Sequence, residues 1–165
     1  MSFFATYFGS SSWLLDLNGF RVLVDPWFQG DLVFPPGPWL IRGRLKTQFP
    51  IPSNIDLLLL TQGLADHSHP PSLRLLDRST AAIASPSASK ILEQLNFSNT
   101  ISLKPNESFN VIANDPNTYT ISRIFKASQT SFDLSILFDS QEIGDTFTIY
   151  TVLLNPIDYE IKNVN

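Results

Sequence analysis

Residues 55–70, IDLLLLTQGLADHSHP, decide how the chain is read. The run Leu57–Leu60 is far too short to span a membrane, and it is bounded by Pro52 and Gly63. It reads as a strand buried on both faces, as in a sheet with layers above and below it. The only two histidines of the chain, His67 and His69, follow it, with Asp66 just before them. A strand that runs into a loop carrying Asp and His is where open α/β sheets place their ligands.

Working outward towards the N-terminus, residues 3–8, 12–17 and 20–24 have strand character. Asn18-Gly19 lies between two apolar runs, and this pair tolerates the positive φ of a tight hairpin turn. Pro26, in Asp25-Pro26-Trp27-Phe28, cannot donate to a ladder and ends the third strand. From Phe28 to Pro52 the sequence reads as loop around FPPGPW. Its aromatics, Trp27, Phe28, Phe34 and Trp39, either pack the loop onto the domain or wall an apolar cleft beside Asp66.

Towards the C-terminus, PPSLRLLDRS reads as a helix that starts at its prolines and turns Leu73 and Leu76 inward. AAIAS is a second buried strand. SPSASKILEQLNF is a helix with Ser85 as N-cap, Pro86 first, and Ile91, Leu92 and Leu95 on the apolar face. Strand, helix, strand, helix at this spacing predicts a layered α/β arrangement. Beyond Val111 the text changes: nine of the eleven asparagines lie at or after Asn96 and all three tryptophans before Leu40. Residues 118–126, 132–138 and 146–154 are each readable as strands, which predicts a β-rich tail.

At 165 residues and 43% hydrophobic content, one domain with an ordinary core is expected. Net charge is −4, with six basic against six acidic residues up to position 80 and five against nine after it. That balance argues against nucleic acid as a partner, which needs a concentrated cationic face. Arg42, Arg44 and Lys46 read instead as a solvated turn or hairpin edge. The chain has no cysteine, which excludes disulfides and thiolate metal sites. No positive leader precedes the first apolar stretch, and no run has membrane-span length, so the expectation is a cytoplasmic protein without membrane contact.

LLLLTQGLADH and LLDLNGFRVLVDPWF together resemble the metallo-β-lactamase superfamily, whose hallmark is a strand followed by Thr-His-x-His-x-Asp-His, with an upstream strand ending in Asp-Pro. Thr61, Asp66 and His67 fall on that motif, and Asp25 on the upstream acidic position. The nearest likeness is to a divergent branch in photosynthetic lineages that writes Leu-Thr-Gln-Gly-Leu-x-Asp-His-x-His. It covers about residues 3–110 and includes ASPSASKILEQL and LKPNESF. The resemblance implies an αββα sandwich of which residues 1–110 supply the first half, with 111–165 a truncated or diverged β-rich segment of the same domain. It also implies a metal-dependent hydrolase. Asp66 and His67 would be the catalytic pair, Asp66, His67 and His69 would hold zinc or another divalent metal, and Asp25, Thr61 and Gln62 would support them.

The departures from the motif open a second reading. Gln62 and Leu64 stand where the family has its first two histidines, and leucine cannot ligate. A zinc site ordinarily takes at least three protein groups. The chain therefore reads either as a hydrolase with a reduced site, acting on a small ester, amide or phosphoester, or as a non-catalytic binding or assembly module without a metal. On the second reading Asp66 closes its loop, His67 bonds to backbone, and His69 is exposed beside two prolines. If the second half of the sandwich is missing, the inner sheet face bearing IDLLLL would expose an apolar patch and would favour a homo-oligomer. A Ser68 nucleophile has little support, because neighbouring residues rarely aim at one another as a triad requires, and no glycine-rich phosphate loop occurs.

Overall fold

The computed structural model describes residues 3–39, 42–112, 118–124, 135–140 and 146–150. Strands β1 (Phe3–Gly9), β2 (Ser12–Leu17) and β3 (Phe20–Val24) form an antiparallel meander. Asn18 and Gly19 make its second turn at φ +54° and +93°, and the Gly19 N–H donates to Asp16 Oδ1 at 2.8 Å. The turn sets the register Leu17 to Phe20 and Trp13 to Val24. That register sends alternate apolar residues of β2 and β3 to opposite faces.

The sheet continues through β6 (Leu57–Leu60), β7 (Ala82–Ala84) and β8 (Thr100–Ser102), all parallel to β3, giving the order β1-β2-β3-β6-β7-β8. Both faces of β6 are buried, as the leucine run predicts. Leu58 and Leu60 join Leu23, Phe28, Leu73, Leu76, Ala88 and Leu92 in the core on one face. Leu57 and Leu59 join Val22, Val24, Ile83 and Leu103 on the other. Each such leucine contributes about 1.5–3 kcal/mol by burial.

The second of these faces is covered, with Leu57 and Leu59 each 2% exposed and Val111 packed against it. The open apolar face that would have favoured a homo-oligomer is not present at these leucines.

Helix α2 (Pro86–Gln94) is placed as the sequence predicts, its N-cap Ser85 accepting the Ala88 N–H. Helix α1 (Pro70–Leu73) is a single turn, shorter than the PPSLRLLDRS pattern suggests. The Arg78 guanidinium accounts for the early stop. It donates to the carbonyls of Leu73, Arg74 and Leu76 and lies over the Phe97 ring, taking the acceptors a longer helix would use.

The stretch read as loop holds a hairpin, β4 (Asp31–Val33) with β5 (Arg42–Arg44). Asp31 pairs with Arg42 and Arg44 across it. Leu32 is fully buried over Gly43, where a Cβ would meet the Leu32 Cβ at 3.2 Å. Of the aromatics in this region, Trp27 and Phe28 are core residues, whereas Trp39 is 55% exposed.

The β-rich tail is a second, four-stranded antiparallel sheet. It runs in order through β9 (Ser108–Ile112), β10 (Thr118–Ile124), β11 (Ser135–Ser140) and β12 (Thr146–Tyr150). The three strands expected after Val111 match β10 to β12 within a few residues. Positions 125, 126, 132–134 and 151–154 of those expectations lie outside the described residues.

Candidate functional site

The site forms where two parallel strands end side by side. The Asp25 N–H donates to the Leu59 carbonyl at 3.0 Å, extending the β3–β6 pairing by one residue, and Asp25 then turns the chain at φ +43°. Asp tolerates this left-handed conformation better than most residues do. Its fully buried carboxylate accepts three hydrogen bonds: from the Thr61 N–H at 2.8 Å, the Thr61 hydroxyl at 2.5 Å and the His67 Nδ1–H at 2.7 Å.

Two features hold the loop after Thr61. The N–H groups of His67 and Ser68 both donate to the Leu64 carbonyl, and the Ser68 hydroxyl donates to the Gln62 carbonyl. On its other side the Gly63 N–H donates to Ser87 Oγ at 3.1 Å. A Cβ on Gly63 would stand 2.8–3.0 Å from the side chain and backbone of Ser87, so glycine is needed for the close approach.

With Nδ1 committed to Asp25, the His67 Nε2 faces Asp66 Oδ2 at 3.6 Å. Asp66 and His67 are both nearly fully buried, and among the described residues Asp66 Oδ1 has no hydrogen-bond partner. Burial pushes the Asp25 pKa up, against the opposing pull of His67 and Thr61. Burial alone would lower that of His67, but the hydrogen bond and charge of Asp25 and the charge of Asp66 outweigh it and raise it.

Asp66 and His67 thus meet, with Asp25 and Thr61 behind them. His69 does not join them. Its Nε2 lies 3.3 Å from the Asp31 carbonyl, which can only accept, so this nitrogen carries the proton. Its Nδ1 therefore accepts from the Ser72 hydroxyl at 3.0 Å. Burial lowers the His69 pKa, consistent with the neutral ring this pattern requires. The expectation that His69 sits exposed is corrected: it is 4% exposed, and both its nitrogens are engaged by Ser72 and Asp31. Among the described residues, no group of three or more His, Asp or Glu converges on one point. Gln62 is half-buried and Leu64 is 52% exposed.

The residues present fit a cation in part. Two donors on a tetrahedral zinc stand about 3.4 Å apart, close to the 3.6 Å between Asp66 Oδ2 and His67 Nε2. The carboxylate on the far nitrogen of His67 is the usual support of a metal-binding imidazole. The orphaned Asp66 Oδ1 is an unmet polar demand at the same place.

Three serines escaped the sequence reading. Ser12 Oγ accepts the Trp27 N–H, Ser72 Oγ accepts the Phe28 N–H, and Ser87 Oγ accepts that of Gly63. Nothing local to these serines signals such partners, which lie 15, 44 and 24 residues away.

The profile of the Beta-lactamase superfamily domain matches residues 5–164. The chain belongs to that superfamily. The match runs well past the residues 3–110 that carry the motifs. No curated protein matches the chain. Among solved structures, it is similar to a possible metal-dependent hydrolase from Veillonella parvula, with TM-score 0.63 and 15% identity over 92% of this chain and 62% of that one. It is also similar to Igni18, a metallo hydrolase from the archaeon Ignicoccus hospitalis, with TM-score 0.59 and 19% identity over 90% and 59% of the two chains. CmlA, a diiron beta-hydroxylase from Streptomyces venezuelae, gives TM-score 0.55 and 19% identity over 83% of this chain and 27% of that one. These likenesses establish the metallo-β-lactamase-like mixed α/β fold, and the chain spans about three fifths of the length of the two hydrolases. Among the described residues, no helix is long and apolar enough to cross a membrane.

Proposed function

We propose that this beta-lactamase superfamily chain is a metal-dependent hydrolase with a reduced site, in which Asp66 and His67 hold a single divalent cation. The observation that carries the reading is the buried Asp66 carboxylate, with Oδ2 turned to the open His67 Nε2 and Oδ1 unpartnered. Asp25 and Thr61 fix the imidazole so that Nε2 is the nitrogen offered. A bound zinc or similar ion would supply an activated water and polarise the oxygen of a small ester, amide or phosphoester. Gln62, in the same loop, would support this pair, and the compartment we propose is the cytoplasm.

A second reading, a non-catalytic binding or assembly module, is favoured by Gln62 and Leu64 standing at two of the family's ligand positions. Elemental analysis after dialysis against a weak chelator separates the two readings, with His67→Ala as the control. Near-stoichiometric zinc, iron or manganese that vanishes in the variant supports the first reading and directs a screen of esters, amides and phosphodiesters. Folded wild-type protein that takes up no metal from a buffered excess overturns it.

A further inference from the structure

The two chain segments that meet in the site are joined again a few residues further on. Asp25 and His67 make the first rung. Six residues past Asp25 lies Asp31, and two past His67 lies His69, and these two make a second rung through the Asp31 carbonyl and His69 Nε2. Ser72 reinforces that rung by accepting the Phe28 N–H at 2.9 Å while donating to His69 Nδ1. Gln29 Nε2 adds a contact to the Pro71 carbonyl at 3.4 Å.

Trp27 sets its ring edge-on to His69, with centroids 6.5 Å apart, and closes the turn beneath it through Nε1 to the Gly30 carbonyl. Gly30 makes this turn at φ +72°, and a Cβ built on it would meet His69 Cε1 at an ordinary 3.6 Å. The segment after Asp25 and the segment after His67 are thus buckled together around a buried, neutral ring.

We propose that His69 is a positioning residue. Through Ser72 and the Asp31 carbonyl it holds the two segments in register so that Asp25 Oδ2 meets His67 Nδ1 and Nε2 is presented to Asp66. Two groups on separate segments meet at a well-defined distance only when their freedom is restrained beforehand, and a second link close to the first supplies that restraint. Motif spacing suggests that His69 is a ligand; its bonding makes it the brace of the ligand two residues before it. The inference rests on the reading of Asp66 and His67 as the site.

The test follows the His67 Nδ1–H proton by NMR in the full chain, without added metal. In the wild type this proton resonates downfield and exchanges slowly with water. In His69→Phe, which keeps a ring of similar size but neither hydrogen bond, its exchange accelerates at least tenfold. His69→Gln, which retains a donor for the Asp31 carbonyl, recovers part of the protection. Leu17→Val, in the core beside the Asn18-Gly19 turn at the far end of β2 and β3, serves as a control for general loss of stability and leaves the proton unmoved.

Ser72→Ala replaces His69→Phe if that variant does not fold, with the same expected acceleration. Unchanged protection in the His69 or Ser72 variants overturns the positioning role and leaves the site reading standing. Absence of a protected His67 proton in the wild type overturns both. A Mn²⁺ titration of the same variants gives a second readout, with the wild type binding at least fivefold more tightly than His69→Phe.

Discussion

Replacing Asp25 by alanine removes one carboxylate that accepts from three donors, and the cost follows from what is left behind. The Thr61 N–H loses its acceptor inside a fully buried site, and the His67 Nδ1–H is left with only Thr61 Oγ1, 2.9 Å away. A buried donor left unsatisfied costs about 1–3 kcal/mol. Breaking a buried ion pair by deleting one partner costs about 3–5 kcal/mol when the other charge stays. His67 limits that loss by releasing its proton, because burial then dominates its environment.

The expected loss for Asp25→Ala therefore lies at the lower end of that range, about 3 kcal/mol, still a large share of a typical stability of about 5–15 kcal/mol. Asp25→Asn keeps an acceptor oxygen for one donor and tolerates the positive φ, and its expected loss is about 1–3 kcal/mol. Urea titrations at pH 7 in the presence of a chelator, with equal slopes for all three proteins, measure both values. An alanine variant within about 1 kcal/mol of the wild type would refute the buried network as described.

Three further outcomes are expected. Gly63→Ala places a Cβ within 3.0 Å of the Ser87 backbone, and should lower stability by about 1–3 kcal/mol in the same titration while weakening metal uptake, because the loop carrying Asp66 must shift. Arg78→Met removes three carbonyl contacts and a ring contact, for a loss of about 2–3 kcal/mol that Arg78→Lys only partly restores. His69 supplies a pH dependence. Its folded pKa is depressed by burial, so stability is fully present above its unfolded pKa of about 6.5 and is lost as pH falls through and below that value. Wild type should therefore lose more stability than His69→Gln between pH 8 and pH 5, and parallel curves for the two would count against a neutral buried ring.

The elements legible in the sequence are those whose determinants are local. Asn18-Gly19 fixes the β2–β3 turn, alternation and leucine content mark the buried strands, and Ser85-Pro86 announces α2. What was not legible depends on distant partners. The LRLL pattern after Pro71 promises more helix than forms, because Arg78 returns to take the carbonyls at the end of the first turn. The β4–β5 hairpin is held by Asp31 reaching Arg42 and Arg44 and by Leu32 over Gly43, contacts that no three-residue strand advertises. Within the site, Asp25, Thr61, Asp66 and His67 could be found from the motif. The hydroxyls of Ser12, Ser72 and Ser87 could not, since their role is set by which distant N–H faces them.

His67 and His69 show why a histidine two positions away from a candidate ligand need not share its role. An imidazole becomes available to a cation when one nitrogen is held and the other is left open. His67 meets that condition through Asp25, while His69 spends both nitrogens on Ser72 and Asp31. The same bookkeeping weighs against reading the Asp66 loop as an inert remnant. Apolar side chains of similar volume can replace a buried ion pair without loss of stability, and often with a gain. Packing alone therefore gives no reason for an Asp25–His67–Asp66 line, and less for Asp66 Oδ1, whose missing partner costs about 1–3 kcal/mol. A divalent cation on Asp66 and His67 would satisfy that oxygen and offset the burial of the two carboxylates together, which is the physical ground for seeking metal in this chain before seeking a partner protein.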